Sequence, residues 1–172
     1  MKKAPRRLLV SCYGNLSRGD DGLGPRFADA LLERAPEITV EVGYQLALED
    51  AATIADYDIV VFVDAAIDAT EGFYLRRIQA EPKTGFSSHS VRPGHLLALS
   101  EQLFDARPEA FALGIGGMAF GDFAEQLSET ATRNLSAALD HFLAWYDRSF
   151  CSQPDIRVSA QHLERGVWAL GA

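Results

Sequence analysis

Four residues in this chain could do chemistry together. Two adjacent aspartates, Asp20 and Asp21, stand in "GNLSRGDDGLGPR" (14–26); Asp64 follows in "VFVDAA" (61–66) and His89 in "SSHSVRPG" (87–94). Carboxylate oxygens with one imidazole nitrogen form a donor set for a divalent cation, and nickel, zinc or manganese would all fit it. Two negative ligands and a neutral histidine balance a doubly charged ion; without the ion the carboxylates raise each other's pKa. Such a centre polarises a carbonyl or lowers the pKa of water.

Each residue also has a plainer reading. Asp20 or Asp21 suits the N-cap of a helix, where a carboxylate satisfies orphan N–H groups and the helix dipole. Two acids in a row exceed what one cap requires. Asp64 suits the cap of a turn and His89 an exposed loop, while His95, His141 and His162 read as surface or partly packed positions. Nucleophilic catalysis has little support: no nucleophile elbow occurs, and neither Cys12 nor Cys151 sits in a Cys/His arrangement. "GIGGMAFG" (114–121) has the look of a phosphate-cradling loop but lacks the Lys-Ser/Thr ending of a P-loop and the G-x-G-x-x-G spacing. The doubled acid would also repel a phosphate.

The elements that must position these residues follow from periodicity. Short apolar or alternating runs predict strands at 7–13, 38–43, 58–63, about 72–80 and 110–116. Helical spacing predicts helices at 22–35, 48–56, about 94–104 and about 128–147. The unbroken run "IVVFV" implies a strand buried on both faces, as in a parallel sheet. From Val63 to Gly72 the chain is too short for a parallel crossover, so the fourth strand should be an antiparallel edge. The expected fold is therefore α/β: three layers, with helices on both faces of a five-stranded, mostly parallel twisted sheet. If the first strand lies between the second and third, the strand order reverses at the crevice where ligands bind in such sheets. Asp20, Asp21 and Asp64 all fall at that mouth, and His89 lies in a loop that could fold over it.

Composition sets the outer bounds. At 172 residues, with 48% hydrophobic and 23% charged residues, the chain reads as one α/β domain (1–147) with a C-terminal extension (148–172) packed on it or trailing from it. A formal charge of −8 argues against general affinity for nucleic acid or anionic membrane. No apolar stretch approaches the roughly 20 residues that span a bilayer. The start "MKKAPRRLLVSC" imitates a secretory signal, but its apolar part is short, and the expectation is a cytoplasmic protein. Two cysteines without motif spacing predict neither a disulfide framework nor a thiolate zinc site.

The segments "YGNLSRGDDGLGPR", "YDIVVFVDA", "SSHSVRPGHLLALSEQL" and "ALGIGGMAFGDFAEQLSETA", in this order, resemble the hydrogenase maturation endopeptidases, which process nickel–iron hydrogenases. "YQLALEDAATIADYD" is similar to the branch that serves NAD(P)-linked, bidirectional-type hydrogenases. The chain departs from the family in having "VGYQL" where many members have Asp-Gly-Gly-Thr, and in the longer loop "GDFAEQLS". The resemblance implies a nickel-dependent endopeptidase that removes a C-terminal peptide from the precursor of a hydrogenase large subunit after nickel insertion. That precursor would be the partner and would supply the nickel, for which other divalent ions could substitute. By the same resemblance Asp21, Asp64 and His89 match the metal ligands. Asp20, Asp21 and Asp64 are then the catalytic acids, with Asp20 serving as helix cap, support behind the ligands or general base. A non-catalytic nickel-binding maturation chaperone on the same fold is the alternative.

Overall fold

The computed structural model describes residues 6–69, 72–81, 91–121 and 123–151. His89 and the stretches "DIRV" and "AQHLERGVWAL" lie outside the described residues, as does Asp122.

Five strands form one sheet: β1 (Leu8–Tyr13), β2 (Thr39–Gly43), β3 (Ile59–Ala66), β4 (Phe73–Ile78) and β5 (Glu109–Gly116). Their order is β2-β1-β3-β5-β4. Every neighbouring pair is parallel except β4 with β5. The antiparallel edge expected for the fourth strand is thus present, over a slightly shorter span than 72–80. Because β1 lies between β2 and β3, the chain leaves β1 toward one side of the sheet and later returns to the other, which opens a crevice at the carboxyl ends of β1 and β3.

Four helices cover the two faces: α1 (Leu23–Arg34), α2 (Asp50–Ile54), α3 (Pro93–Phe104) and α4 (Glu129–Tyr146). Strand alternation sorts the core into two layers. Val10, Cys12, Val61, Val63, Leu113 and Ile115 face α1 and α4, where Phe27 and Phe142 meet edge-on at 5.6 Å. Leu9, Val60, Phe62 and Ala110 face α2 and α3, against Ile54, Leu96 and Leu97. Burying each such large side chain stabilises the fold by about 1.5–3 kcal/mol. A further π-helical turn, Asp147–Cys151, continues α4, and Phe150 stacks on Tyr146 at 5.1 Å.

Three local expectations change. The second helix is five residues rather than nine, because its flanks tighten into i→i+3 turns, with Ala51 N–H bonded to the Leu48 carbonyl at 3.2 Å before it and Asp56 N–H to the Thr53 carbonyl at 3.1 Å after it. Strand β3 runs on to Ala66, since its register with β5 continues through Asp64↔Gly114 and Ala66↔Gly116; Asp64 therefore sits inside the strand, not after it. Neither aspartate of the doubled pair caps α1. That helix has Gly22 at its N-cap and no side-chain cap, and Asp20–Gly22 form a separate 3₁₀ turn before it.

Candidate active site

The loop after β1 is built around a tight approach of backbone to backbone. Gly14 has φ 145°, and a Cβ there would lie 2.0 Å from the Asp21 carbonyl oxygen, so only glycine fits. The loop closes through Asn15 N–H to the Asp21 carbonyl at 3.1 Å, while Asn15 Oδ1 accepts from the Ser17 N–H at 2.9 Å. This closure presents Asp21 at the end of β1.

Asp20 points the other way. It is 0% exposed, and its oxygens accept from the N–H groups of Met118 and Ala119 (2.8 Å each), the N–H of Ser128 (2.7 Å) and the Ser128 hydroxyl (2.8 Å). Burial alone would raise its pKa, but the hydrogen bonds from Ala119, Ser128 and Met118 outweigh it and hold the carboxyl below the ordinary value. Ser128 Oγ also accepts from the Ala131 N–H at 3.1 Å and so caps α4. Backbone bonds reinforce the clasp: Gly19 N–H to the Ala124 carbonyl at 2.7 Å and Asp20 N–H to the Ala119 carbonyl at 2.9 Å. The glycine-rich loop does cradle an anion, and that anion is the chain's own Asp20, which leaves these N–H groups unavailable to a phosphate.

Asp64 has the opposite environment. Among the described residues it accepts one hydrogen bond, from its neighbour's N–H, Ala65 N to Oδ1 at 2.7 Å. Burial pushes its carboxyl up to about 6; the Ala65 N–H offsets part of this, and the charge of Asp21 adds to it. The 3₁₀ turn that carries Asp21 packs against β3, which brings Asp21 near Asp64 at the mouth. Among the described residues no group of three His, Cys, Asp or Glu side chains is arranged to hold a metal ion, and His89 is not among them. The donor chemistry of Asp21 and Asp64 still suits a hard divalent cation: two carboxylates, one of them largely buried, whose charge a cation would offset.

Two tyrosines flank Asp64. Tyr13 pairs with Gly43, and the Cys12↔Val63 register sets Tyr13 beside Asp64. Asp64 pairs with Gly114, which pairs with Tyr74 on the edge strand. A Cβ on Gly114 would lie 2.3 Å from Tyr74 Cζ, so the ring of Tyr74 lies across this glycine toward Asp64. Burial pushes the Tyr13 phenol well above its ordinary value, with Asp64, Tyr74 and Cys12 adding to the shift. Burial raises Tyr74 as well; Arg76 offsets it, and Asp68 and Asp64 add to it. Both phenols therefore stay protonated donors near neutral pH. Burial likewise pushes the Cys12 thiol up, which removes it as a nucleophile.

This architecture has been seen before. No family model and no curated protein matches the sequence. Solved structures do match. The hydrogenase maturating endopeptidase HybD of E. coli superimposes with a TM-score of 0.67 at 20% identity, over 83% of this chain and 93% of that one. The NiFe hydrogenase maturation protease HycI of Thermococcus kodakarensis gives 0.61 at 19% identity, over 83% and 93%. The hydrogenase 2 maturation peptidase of a Thaumarchaeota archaeon gives 0.59 at 21% identity, over 81% and 97%. The chain has the fold of the hydrogenase maturation endopeptidases.

On this endopeptidase fold the structure brings Asp21 and Asp64 to one mouth and turns Asp20 away into the loop clasp. Sequence reasoning did not single out Tyr13, Tyr74 or Ser128. Tyr13 could have been found as the last residue of the first strand on the Leu9–Ser11 face. Tyr74 could not, because its place beside Asp64 depends on the register of an antiparallel edge. Ser128 carried a sequence signal, a serine directly before a long helical pattern.

Proposed function

We propose that this chain is a metal-dependent endopeptidase that removes a C-terminal peptide from the nickel-loaded precursor of a nickel–iron hydrogenase large subunit. The observation that carries the reading is the meeting of Asp21 and Asp64, at the carboxyl ends of β1 and β3, in an endopeptidase fold. Asp21, Asp64 and His89 hold the nickel that the precursor brings, in keeping with the donor set. That ion supplies Lewis acidity, polarising a carbonyl and lowering the pKa of water. Asp21 and Asp64 bind and orient; the positive charge of the substrate's metal favours the ionised form of Asp64, which burial and, to a lesser extent, Asp21 disfavour. Asp20 is a positioning residue. A general base must reach the proton it takes, whereas Asp20 is buried and accepts four hydrogen bonds from other parts of the chain.

A protein substrate suits the rim. Leu16, Tyr44, Ile67, Met118 and Phe123 are exposed, Phe123 to 98%, on the loops that leave the carboxyl end of the sheet or are clasped to them. Exposed large apolar side chains near a site favour a macromolecular partner over a small polar substrate. Among the described residues no helix is long and apolar enough to cross a membrane.

The test is incubation with nickel-loaded and nickel-free precursor, read as a mobility shift. Shortening of the loaded form is expected, and its loss in Asp21→Ala, Asp64→Ala and His89→Ala with circular dichroism unchanged. No cleavage of either form would defeat the reading; retention of precursor without shortening would point to the nickel-binding chaperone instead.

A further inference from the structure

A cavity of about 240 Å³ opens beside Asp64, on the face of the sheet that carries α2 and α3. Its walls include Phe62 and Ala112 on the central strands, Ile78 on the edge strand, and the rings of Tyr13 and Tyr74. Phe62 and Ala112 give the cavity an apolar floor. Polar side chains line it as well: Asp64, Arg76, Gln79, Glu81 and Arg92. The Arg76 guanidinium lies 4.5 Å from the centre of the Tyr74 ring and braces it as a wall.

Size limits the occupant. Pockets for drug-sized ligands and cofactors run to about 300–1,000 Å³, while an apolar cavity of roughly 150 Å³ already binds benzene. A space of 240 Å³ therefore suits one large side chain and not a cofactor. Two features show that the space is held open by the sheet itself. Ala112 lies between Phe62 and Arg76 in the strand register, where a larger residue would fill the cavity from below. Gly114 lets the Tyr74 ring lie over the strand and form a wall.

We propose that this cavity is a substrate subsite that seats one large apolar side chain, aliphatic or aromatic, of the peptide being cut, beside the bond presented to Asp64. The assignment of the occupant as substrate rests on the endopeptidase reading above. An extended peptide crossing the carboxyl end of the sheet would place its backbone over Asp64 and drop that side chain between Tyr13 and Tyr74. Apolar burial supplies affinity, and the two phenols supply donors to the adjoining backbone carbonyls. Selectivity follows from volume: each methylene that the pocket accepts or loses changes affinity by about 10–200-fold.

The experiment separates the subsite from the catalytic reading. The purified full-length chain is titrated with N-acetyl-leucinamide, N-acetyl-phenylalaninamide and N-acetyl-glycinamide, and backbone amide shifts are followed by NMR. Saturable shifts at Phe62, Asp64 and Gly114 are expected with the leucine and phenylalanine compounds and not with glycine. Ala112→Leu should weaken that binding by about tenfold or more, because it occupies the volume. Ile78→Phe is a second filling variant on the edge strand and should act in the same direction. If the three amides shift the same resonances equally, or if both filling variants bind as the unaltered chain does, the subsite is overturned. In the processing assay the filling variants should raise KM for the precursor with kcat little changed. An unaltered chain that binds the apolar amides yet never shortens precursor would sink the endopeptidase reading and leave the side-chain site standing.

Discussion

Asp20 and Asp64 are the same side chain under opposite treatment. Both are largely withdrawn from water, yet Asp20 is held below the ordinary carboxylate value and Asp64 is pushed up to about 6. The difference is the count of donors. Asp20 receives three backbone N–H groups and a hydroxyl, gathered from the glycine-rich loop and the start of α4. Among the described residues Asp64 receives one N–H, and it faces the charge of Asp21. A carboxylate that is fully solvated by the protein is a structural fastener. One left short of donors beside another acid stores unfavourable electrostatic energy, which a cation can release.

Removing the fastener should have the largest effect on stability. Asp20→Ala strands four donors, and at about 1–3 kcal/mol for each buried group left unsatisfied, less what water recovers, the loss should be roughly 3–5 kcal/mol in urea unfolding. A loss below about 1 kcal/mol would mean that the clasp contributes little.

Asp64→Asn should act in reverse on the metal-free chain. A carboxyl raised in the folded state contributes stability that is fully present below its unfolded pKa and lost as pH rises through the folded one. With a folded value of about 6, the wild-type chain should lose stability between roughly pH 4 and pH 7 on account of Asp64. The asparagine variant lacks that loss and should be more stable near pH 8, on the order of 2 kcal/mol, while processing is abolished. Thermal melts of both proteins across this range check it; parallel curves would break the contrast. Asp20, being depressed, shows the mirror image: its contribution is present above the ordinary carboxylate pKa and disappears as pH falls through the lower folded value.

Smaller effects sharpen the same contrast. Ser128→Ala removes a donor to Asp20 and the cap of α4 together, and should cost about 1–2 kcal/mol with processing retained below the melting range. Asp21→Ala, partly exposed at the mouth, should change stability by no more than about 0.5 kcal/mol and still abolish processing. It should also bring the Asp64 carboxyl down toward its ordinary value, visible as a shifted carboxyl carbon titration in NMR. An unmoved Asp64 would show that the two acids do not feel each other.

Much of the fold was legible in particular residues. The continuous "IVVFV" signalled a strand covered on both faces, and the short link to Gly72 forced β4 to be antiparallel. The doubled aspartate signalled that capping alone did not explain the loop, and neither acid caps α1. What stayed open was direction. Sequence periodicity places a residue along an element, but Asp20 and Asp21 are adjacent in a turn, where no period says which one points inward.

The sequence by itself determined the order of strands and helices, the burial of the central strand and the presence of carboxylates at the ends of β1 and β3, because these depend on local periodicity and on the reach of short connections. Only the tertiary structure decided that Asp20 closes the anion cradle of the glycine-rich loop, that Asp21 acts on Asp64, and that Tyr13 and Tyr74 enclose a cavity beside it. Those facts depend on strand register and loop pairing, which bring together residues as much as 108 positions apart, and no local pattern encodes them.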